Sequence, residues 1–278
     1  VCIFPLFQKN YPGFRMISSP PPNIKATYLG FLLSWRYGTL SQQDREDFLG
    51  DIAQQIHGIL ARLWPNYIYI QVVPGFEDIR PFTWGGYSTK IGYEYAVDLS
   101  PSIDELWEGL SKDCHERIKA CRKLPITIKK GRDLDLFYGL TKGELKPQGK
   151  LTITDRTIAY LKDLMAEFTD SMWIDFMYCG EEIVGMSINY VYKDKFVGWI
   201  GSYKKNFGEF LEWDLIRRAK AEGYRFYENP DANAKRLTQF KSKFNPTLEI
   251  DYDIYRQDVL CRAALWSYSH IFKRKAKV

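Results

Sequence analysis

Three apolar segments with almost no chain between them constrain this fold more than any other feature. MWIDFMYC (Met172–Cys179), EEIVGMSINYVY (Glu181–Tyr192) and KFVGWIGSYK (Lys195–Lys204) are rich in aromatic and β-branched residues. Turn-prone Cys179–Gly180 and Lys193–Asp194 link them. Links this short join antiparallel neighbours, so the pattern predicts a three-stranded meander. FLEWDLIRRAKAEG (Phe210–Gly223) follows as a helix, with Gly223 just past its end. Strand YRFYE, helix AKRLTQFKSKF, strand TLEIDYDIYR and a last helix from Asp258 to about Lys277 complete the chain.

Upstream, residues 1–40 read as strands and turns around SSPPPN (Ser18–Asn23), and Ser41 caps a helix that runs to Trp64 and is stopped by Pro65. YIYIQVV is a strand. Residues 74–93 read as an irregular aromatic loop, and YAVDLS as a short strand. Pro101 opens one continuous helix through DELWEGLSKDCHERIKACRK, ended by Pro125. ITIKKG is a strand, DLDLFYGLTKGEL a helix, and Asp155–Phe168 another. Helices alternating with strands in this way define an α/β class, here an α+β mixed sheet covered by helices.

Composition excludes several functions. The chain carries 39 Lys and Arg against 34 Asp and Glu, a net charge of +5 that suits phosphate, tRNA or an anionic surface without demanding them. An odd count of 5 cysteines with no CxxC argues against a disulfide framework and for a cytoplasmic setting, with peripheral membrane attachment as an alternative. The 3 histidines lie at no metal-ligand spacing, so no metal is expected. No uncharged apolar run reaches the ~18 residues of a membrane span. GxSxG, GxxxxGK[ST], HExxH and GxGxxG are absent. The opening Val-Cys-Ile-Phe reads as the middle of a strand, so an N-terminal piece is expected to be missing.

A meander, then a helix, then a strand resembles the core of GNAT acyltransferases. In such a core the strands FVGWIGSY and RFYEN splay apart, and N–H groups of Ile200–Tyr203 would hold the oxyanion of an acyl carbonyl under attack. The rival reading is a plain antiparallel sheet with core aromatics. The resemblance extends along nearly the whole chain to the Fem-type (FemAB-like) peptidoglycan aminoacyltransferases and related acetyltransferases. It rests on DIRPFTWGGYST (Asp78–Thr89), YAVDLSPSIDELWEGL, ERIKACRKLPITIKKG, EEIVGMSINY, GWIGSYKKNFGEFLEWDLIRRAKAEGYRFYE and LTQFKSKFNP (Leu237–Pro246), in that order. It implies two packed GNAT-like lobes, 1–100 plus 253–278 and 101–252, with transfer in the second.

Two departures bear on the donor. Tyr227-Glu228-Asn229-Pro230 replaces the usual acid-aromatic-Gly ending, with Glu228 in the place of an Asp. KKNFGEF offers one glycine, Gly208, where acetyl-CoA users carry a glycine-rich turn that presents several N–H groups to a pyrophosphate. Aminoacyl-tRNA or a different activated donor is therefore favoured, as in the Fem-type members, with acyl-CoA held by Lys204 and Lys205 as the rival and no permanently bound cofactor. The acceptor is an amine of a small molecule or cell-envelope precursor.

The resemblance points to Lys241 and Glu228, and the chemistry and position of the residues nominate the rest. Lys241 matches the basic residue of an FK motif, Phe240-Lys241, and would stabilise the oxyanion or a phosphate on the donor, with a solvated helix lysine beside Lys243 as the alternative. Glu228 would position or deprotonate the acceptor, and Tyr203 would protonate the leaving group. Substrate contacts fall to Ser202 on the oxyanion segment, to Lys204, Lys205, Trp213 and Phe240, to Arg117 and Arg122 as an inward helix pair, and to Arg80, Trp84, Gly85 and Gly86 in the aromatic loop. Each has a structural alternative: core packing for Trp213 and Tyr203, a loop anchor for Arg80 and Trp84, a solvated stripe for the arginines. The tail Lys273, Arg274, Lys275 and Lys277 reads as a solvated helix end or a contact with anionic lipid or RNA. A non-catalytic GNAT-like module binding nucleic acid or glycan is the alternative function.

Overall fold

A computed structural model of the chain describes residues 2–21, 28–76, 78–143, 145 and 153–275, with side chains as far as residue 267. In chain order the strands are β1 (Cys2–Ile3), β2 (Phe7–Tyr11), β3 (Phe14–Ser19), β4 (Leu32–Leu33), β5 (Tyr67–Gln71), β6 (Ser88–Asp98), β7 (Ile126–Gly131), β8 (Met172–Cys179), β9 (Glu182–Tyr192), β10 (Lys195–Tyr203), β11 (Phe226–Asn229) and β12 (Thr247–Gln257). The helices are α1 (Gln42–Arg62), α2 (Arg80–Trp84), α3 (Ile103–Glu108), α4 (Lys112–Cys121), α5 (Leu134–Lys142), α6 (Asp155–Glu167), α7 (Gly208–Ala221), α8 (Lys235–Lys241) and α9 (Val259–Lys275). The chain divides into two compact units, 1–92 with 250–278, and 93–249.

In the first unit the strands run in the order β2-β3-β5-β12. β3 and β5 are parallel, and β5 is antiparallel to the Asp253–Gln257 part of β12. Ser41 caps α1 by accepting from the Asp44 N–H, as its sequence predicts. Leu49, Ala53, Ile56 and Leu60 form one face of α1, at steps of three and four. That face joins Ile17, Ile68, Ile70, Val72, Phe82 and Ile254 in the core.

The second unit carries β6-β11-β10-β9-β8-β7, a mixed sheet. The meander forms as predicted, and Gly180 (φ 63°) and Lys193 (φ 54°) take the left-handed conformation in its turns. Successive strand side chains face opposite ways, so the sheet has two cores. Trp173, Met177 and Phe196 meet Cys114, Ile118, Leu211 and Leu215 from α4 and α7. Met172, Ile174, Phe176, Met186 and Ile188 meet Phe137, Ile158 and Leu161 from α5 and α6.

Two expectations need correction. The helix expected to be continuous from Pro101 is two, because Ser102 and Ser111 each cap a new start by accepting from Glu105 N–H and Cys114 N–H. The expected aromatic loop contains α2 and the first half of β6, so strand pairing begins at Ser88 rather than near Tyr95. Among the described residues the cysteines are free, no group of His, Cys, Asp and Glu is placed to hold a metal, and no helix is long and apolar enough to cross a membrane.

Candidate active site

Two neighbouring strands of the second unit part company. β10 and β11 run parallel through three pairs, Lys195↔Phe226, Phe196↔Tyr227 and Val197↔Glu228, and there the ladder ends. β10 continues to Tyr203 with only β9 beside it, and its register shifts between Gly198 and Ile200. Among the described residues no strand pairs with Gly198–Tyr203 on the β11 side. This stretch contains Ile200–Tyr203, the segment the sequence marks for an oxyanion.

Helix α7 lies behind this gap. It ends as expected in a Schellman arrangement: Gly223 has φ 85°, its N–H donates to the Lys220 carbonyl, and Tyr224 N–H donates to Ala219. Its buried residues are Gly208, Glu209, Leu211, Glu212, Trp213, Leu215, Ile216 and Ala219, so two acids stand among apolar neighbours, Glu209 in the first turn and Glu212 one turn on. Glu212 is 5% exposed. Tyr227 donates its hydroxyl to Glu212 Oε2, and Asn229 Nδ2 donates to the same oxygen at 2.9 Å. Burial pushes the Glu212 carboxyl above the usual range, opposed by the Tyr227 hydrogen bond, Lys241 and Asn229. Sequence reading missed Glu212, Tyr227 and Asn229. The readable signal was a carboxylate on the buried stripe of α7.

Lys241 ends α8 and points inward, 8% exposed. Its ammonium donates to three successive carbonyls, of Asn229 at 3.4 Å, Pro230, and Asp231 at 2.8 Å. Three donors thus meet three acceptors. Burial lowers its pKa, and Glu212, Asp231 and Glu94 act against that shift. Tyr203 packs against Phe240 in a tilted pair, 5.3 Å between ring centres, and lies over Gly208. Burial raises its hydroxyl pKa, with Glu212 and Glu209 adding to the effect.

The remaining predicted residues are dispersed. Strand alternation sends Tyr227 toward Glu212 and Glu228 to the other face, where its carboxylate takes the Lys195 ammonium. Ser202, fully buried, donates to the Leu145 carbonyl on the α5–α6 side. Arg117 bonds Asp113 at 2.9 Å, lies 3.3 Å from Glu209, and donates to Asn206 Oδ1. Arg122 lies over the Trp107 ring at 4.8 Å. Lys204 pairs with Glu182, and Lys205 is exposed. Trp213 is core, 5.3 Å from Trp107 between ring centres. Arg80, Trp84, Gly85 and Gly86 belong to the first unit, where Arg80 pairs with Glu46 and Asp78 at 2.8 Å and Trp84 is exposed. The basic tail's side chains lie outside the described residues.

The N-terminus of α7 already holds an anion of its own. Glu209 is 5% exposed in its first turn, paired with Lys243 at 2.7 Å and with Arg117. An incoming phosphate would meet this carboxylate at the helix end that favours negative charge.

Gly198 permits the approach of Tyr227. A Cβ at position 198 would lie 2.3 Å from the Tyr227 hydroxyl, and Tyr227 is 2% exposed with no room to retreat. We expect Gly198→Ala to cost about 1–3 kcal/mol of stability, read from urea midpoints, by overpacking this contact. A midpoint equal to the parent's would mean that the ring moves freely.

Strands that part beside a covering helix are the plan the sequence reading expects of a GNAT-type core. Residues 112–241, from α4 to Lys241, match the family model of the acetyltransferase (GNAT) domain. The chain has the Fem-type version of this fold. FemX is similar at a TM-score of 0.63 and 12% identity, over 89% of this chain and 83% of that one. The C-terminal domain of a putative lysylphosphatidylglycerol synthetase from Agrobacterium fabrum is similar at 0.60 and 11%, over 95% and 84%. L-PGS from Bacillus licheniformis follows at 0.57 and 15%, over 91% and 81%. At these identities the likeness is one of fold. Comparison with curated proteins gave no match.

Proposed function

We propose that this acyltransferase moves an aminoacyl group from aminoacyl-tRNA onto an amine of a cell-envelope precursor or related metabolite. The parting of β10 from β11 carries the reading. N–H groups on the free edge of β10 polarise the carbonyl, the amine attacks it directly, and negative charge grows on its oxygen. The amine gives up a proton and the leaving hydroxyl takes one, with no covalent enzyme intermediate. Lys241 acts through its charge, because its three N–H groups are already engaged with carbonyls.

Two observations favour an aminoacyl donor over acyl-CoA. Glu209 occupies the helix end where a pyrophosphate would sit, and of the two lysines proposed to hold it, Lys204 is paired with Glu182. FemX and the lysylphosphatidylglycerol synthetases share the fold. We read residues 101–252 as the transferring lobe and 1–100 with 253–278 as its GNAT-like companion. Calorimetry with CoA and with aminoacyl-tRNA, followed by a transfer assay with amine acceptors, tests the proposal. We expect saturable binding of aminoacyl-tRNA and weak binding of CoA. Micromolar CoA binding with acyl transfer would replace the donor, and tight RNA binding without any transfer would make the protein a binding module.

A further inference from the structure

Helix α9 exposes the wrong residues to water. Of its first eight residues only Cys261 is buried, while Val259 (71%), Leu260 (62%), Leu265 (48%) and Trp266 (63%) are largely exposed. The apolar surface continues at the helix start. Asp258 N–H donates to the Asn66 carbonyl, and Asn66 Nδ2 donates to Asp258 Oδ2 at 2.7 Å, which brings the 63–66 turn against α9. In that turn Trp64 is 82% exposed.

Charge identifies what covers this surface. After Asp258 the sequence has no Asp or Glu, but it has Arg262, Lys273, Arg274, Lys275 and Lys277. Arg62, next to the same turn, is exposed as well. Asp258 itself is occupied in capping, its Oδ1 accepting from Cys261 N–H at 2.7 Å. Apolar side chains including tryptophan, on a segment whose sequence after Asp258 carries cations and no acid, match the boundary layer of an anionic bilayer. A nucleic-acid backbone would use the cations and leave the leucines and tryptophans unemployed.

We propose that α9 and the Trp64 turn form a peripheral docking surface for anionic lipid. Val259, Leu260, Leu265 and Trp266 enter the acyl boundary while the basic residues meet the headgroups. The full chain, sedimented with vesicles of phosphatidylcholine alone and of phosphatidylcholine mixed with phosphatidylglycerol, provides the test. We expect binding to the mixed vesicles only, reversed by salt, and a blue shift of tryptophan emission on binding. Leu260→Glu with Trp266→Glu, both at exposed positions, should weaken partitioning roughly tenfold or more, with an unchanged melting temperature as the control for folding. Absence of binding to the mixed vesicles by the parent chain would overturn the proposal. So would a dimer that the same double variant dissociates, or tRNA binding that depends on the cations and ignores Leu260 and Trp266.

Discussion

Lys241→Met should lower turnover by roughly 10²-fold or more, the scale seen when one electrostatic contact to a developing oxyanion is lost. Methionine fills a similar volume but brings no charge and no donor. The carbonyls of Asn229, Pro230 and Asp231 would lose their shared partner, and Glu212 its nearby cation. Each buried acceptor left unpaired costs about 1–3 kcal/mol, so the variant should also melt earlier. The two effects separate when kcat is measured well below the melting temperature of the variant. A folded Lys241→Met protein with parental kcat would remove this lysine from the chemistry and leave it a structural clamp on the 229–231 segment.

The largest loss of stability is expected at Asp175, two strands away from the gap. Its carboxylate is fully buried and accepts from Trp173 Nε1 at 3.0 Å, Asn189 Nδ2 at 2.8 Å, and Arg218 through Nη1 at 3.2 Å and Nη2 at 2.7 Å. Asp175→Ala strands the Arg218 guanidinium with Asp214 beside it and takes the acceptor from Trp173 Nε1, while Asn189 Nδ2 keeps the Ser187 carbonyl at 3.2 Å. Breaking a buried ion pair by removing one member costs about 3–5 kcal/mol, which urea unfolding would register. A loss under about 1 kcal/mol would mean that water enters and solvates the arginine.

Much of this architecture was legible because local signals and tertiary structure agree. The meander is written in two tight turns, and α7 in a periodic stripe closed by Gly223. The break between α3 and α4 was harder to read, since the charged run across Gly109–Ser111 looks helical until Ser111 is recognised as a cap. The site was legible only in part. Lys241 comes from the family resemblance and Tyr203 from its place at the end of the strand; the Lys241 ammonium reaches the carbonyls of residues 229–231, and Tyr203 packs against Phe240. The placement of Glu228 depends on strand parity: one residue along β11 decides between the α7 face and the Lys195 face. Glu212 was hidden for another reason. An acid in a helix reads as solvated surface unless the stripe it interrupts is traced residue by residue.

β11 is only four residues long, yet it divides two chemical compartments. Tyr227 delivers a hydroxyl to a carboxylate on one side, and Glu228 delivers a carboxylate to an ammonium on the other. Slippage by a single residue would exchange them, thrusting an acid into the aromatic core and a phenol toward a lysine. The short ladder to β10 and the four pairs to β6 therefore act as a keyway, admitting one alignment of reactive groups and rejecting its mirror.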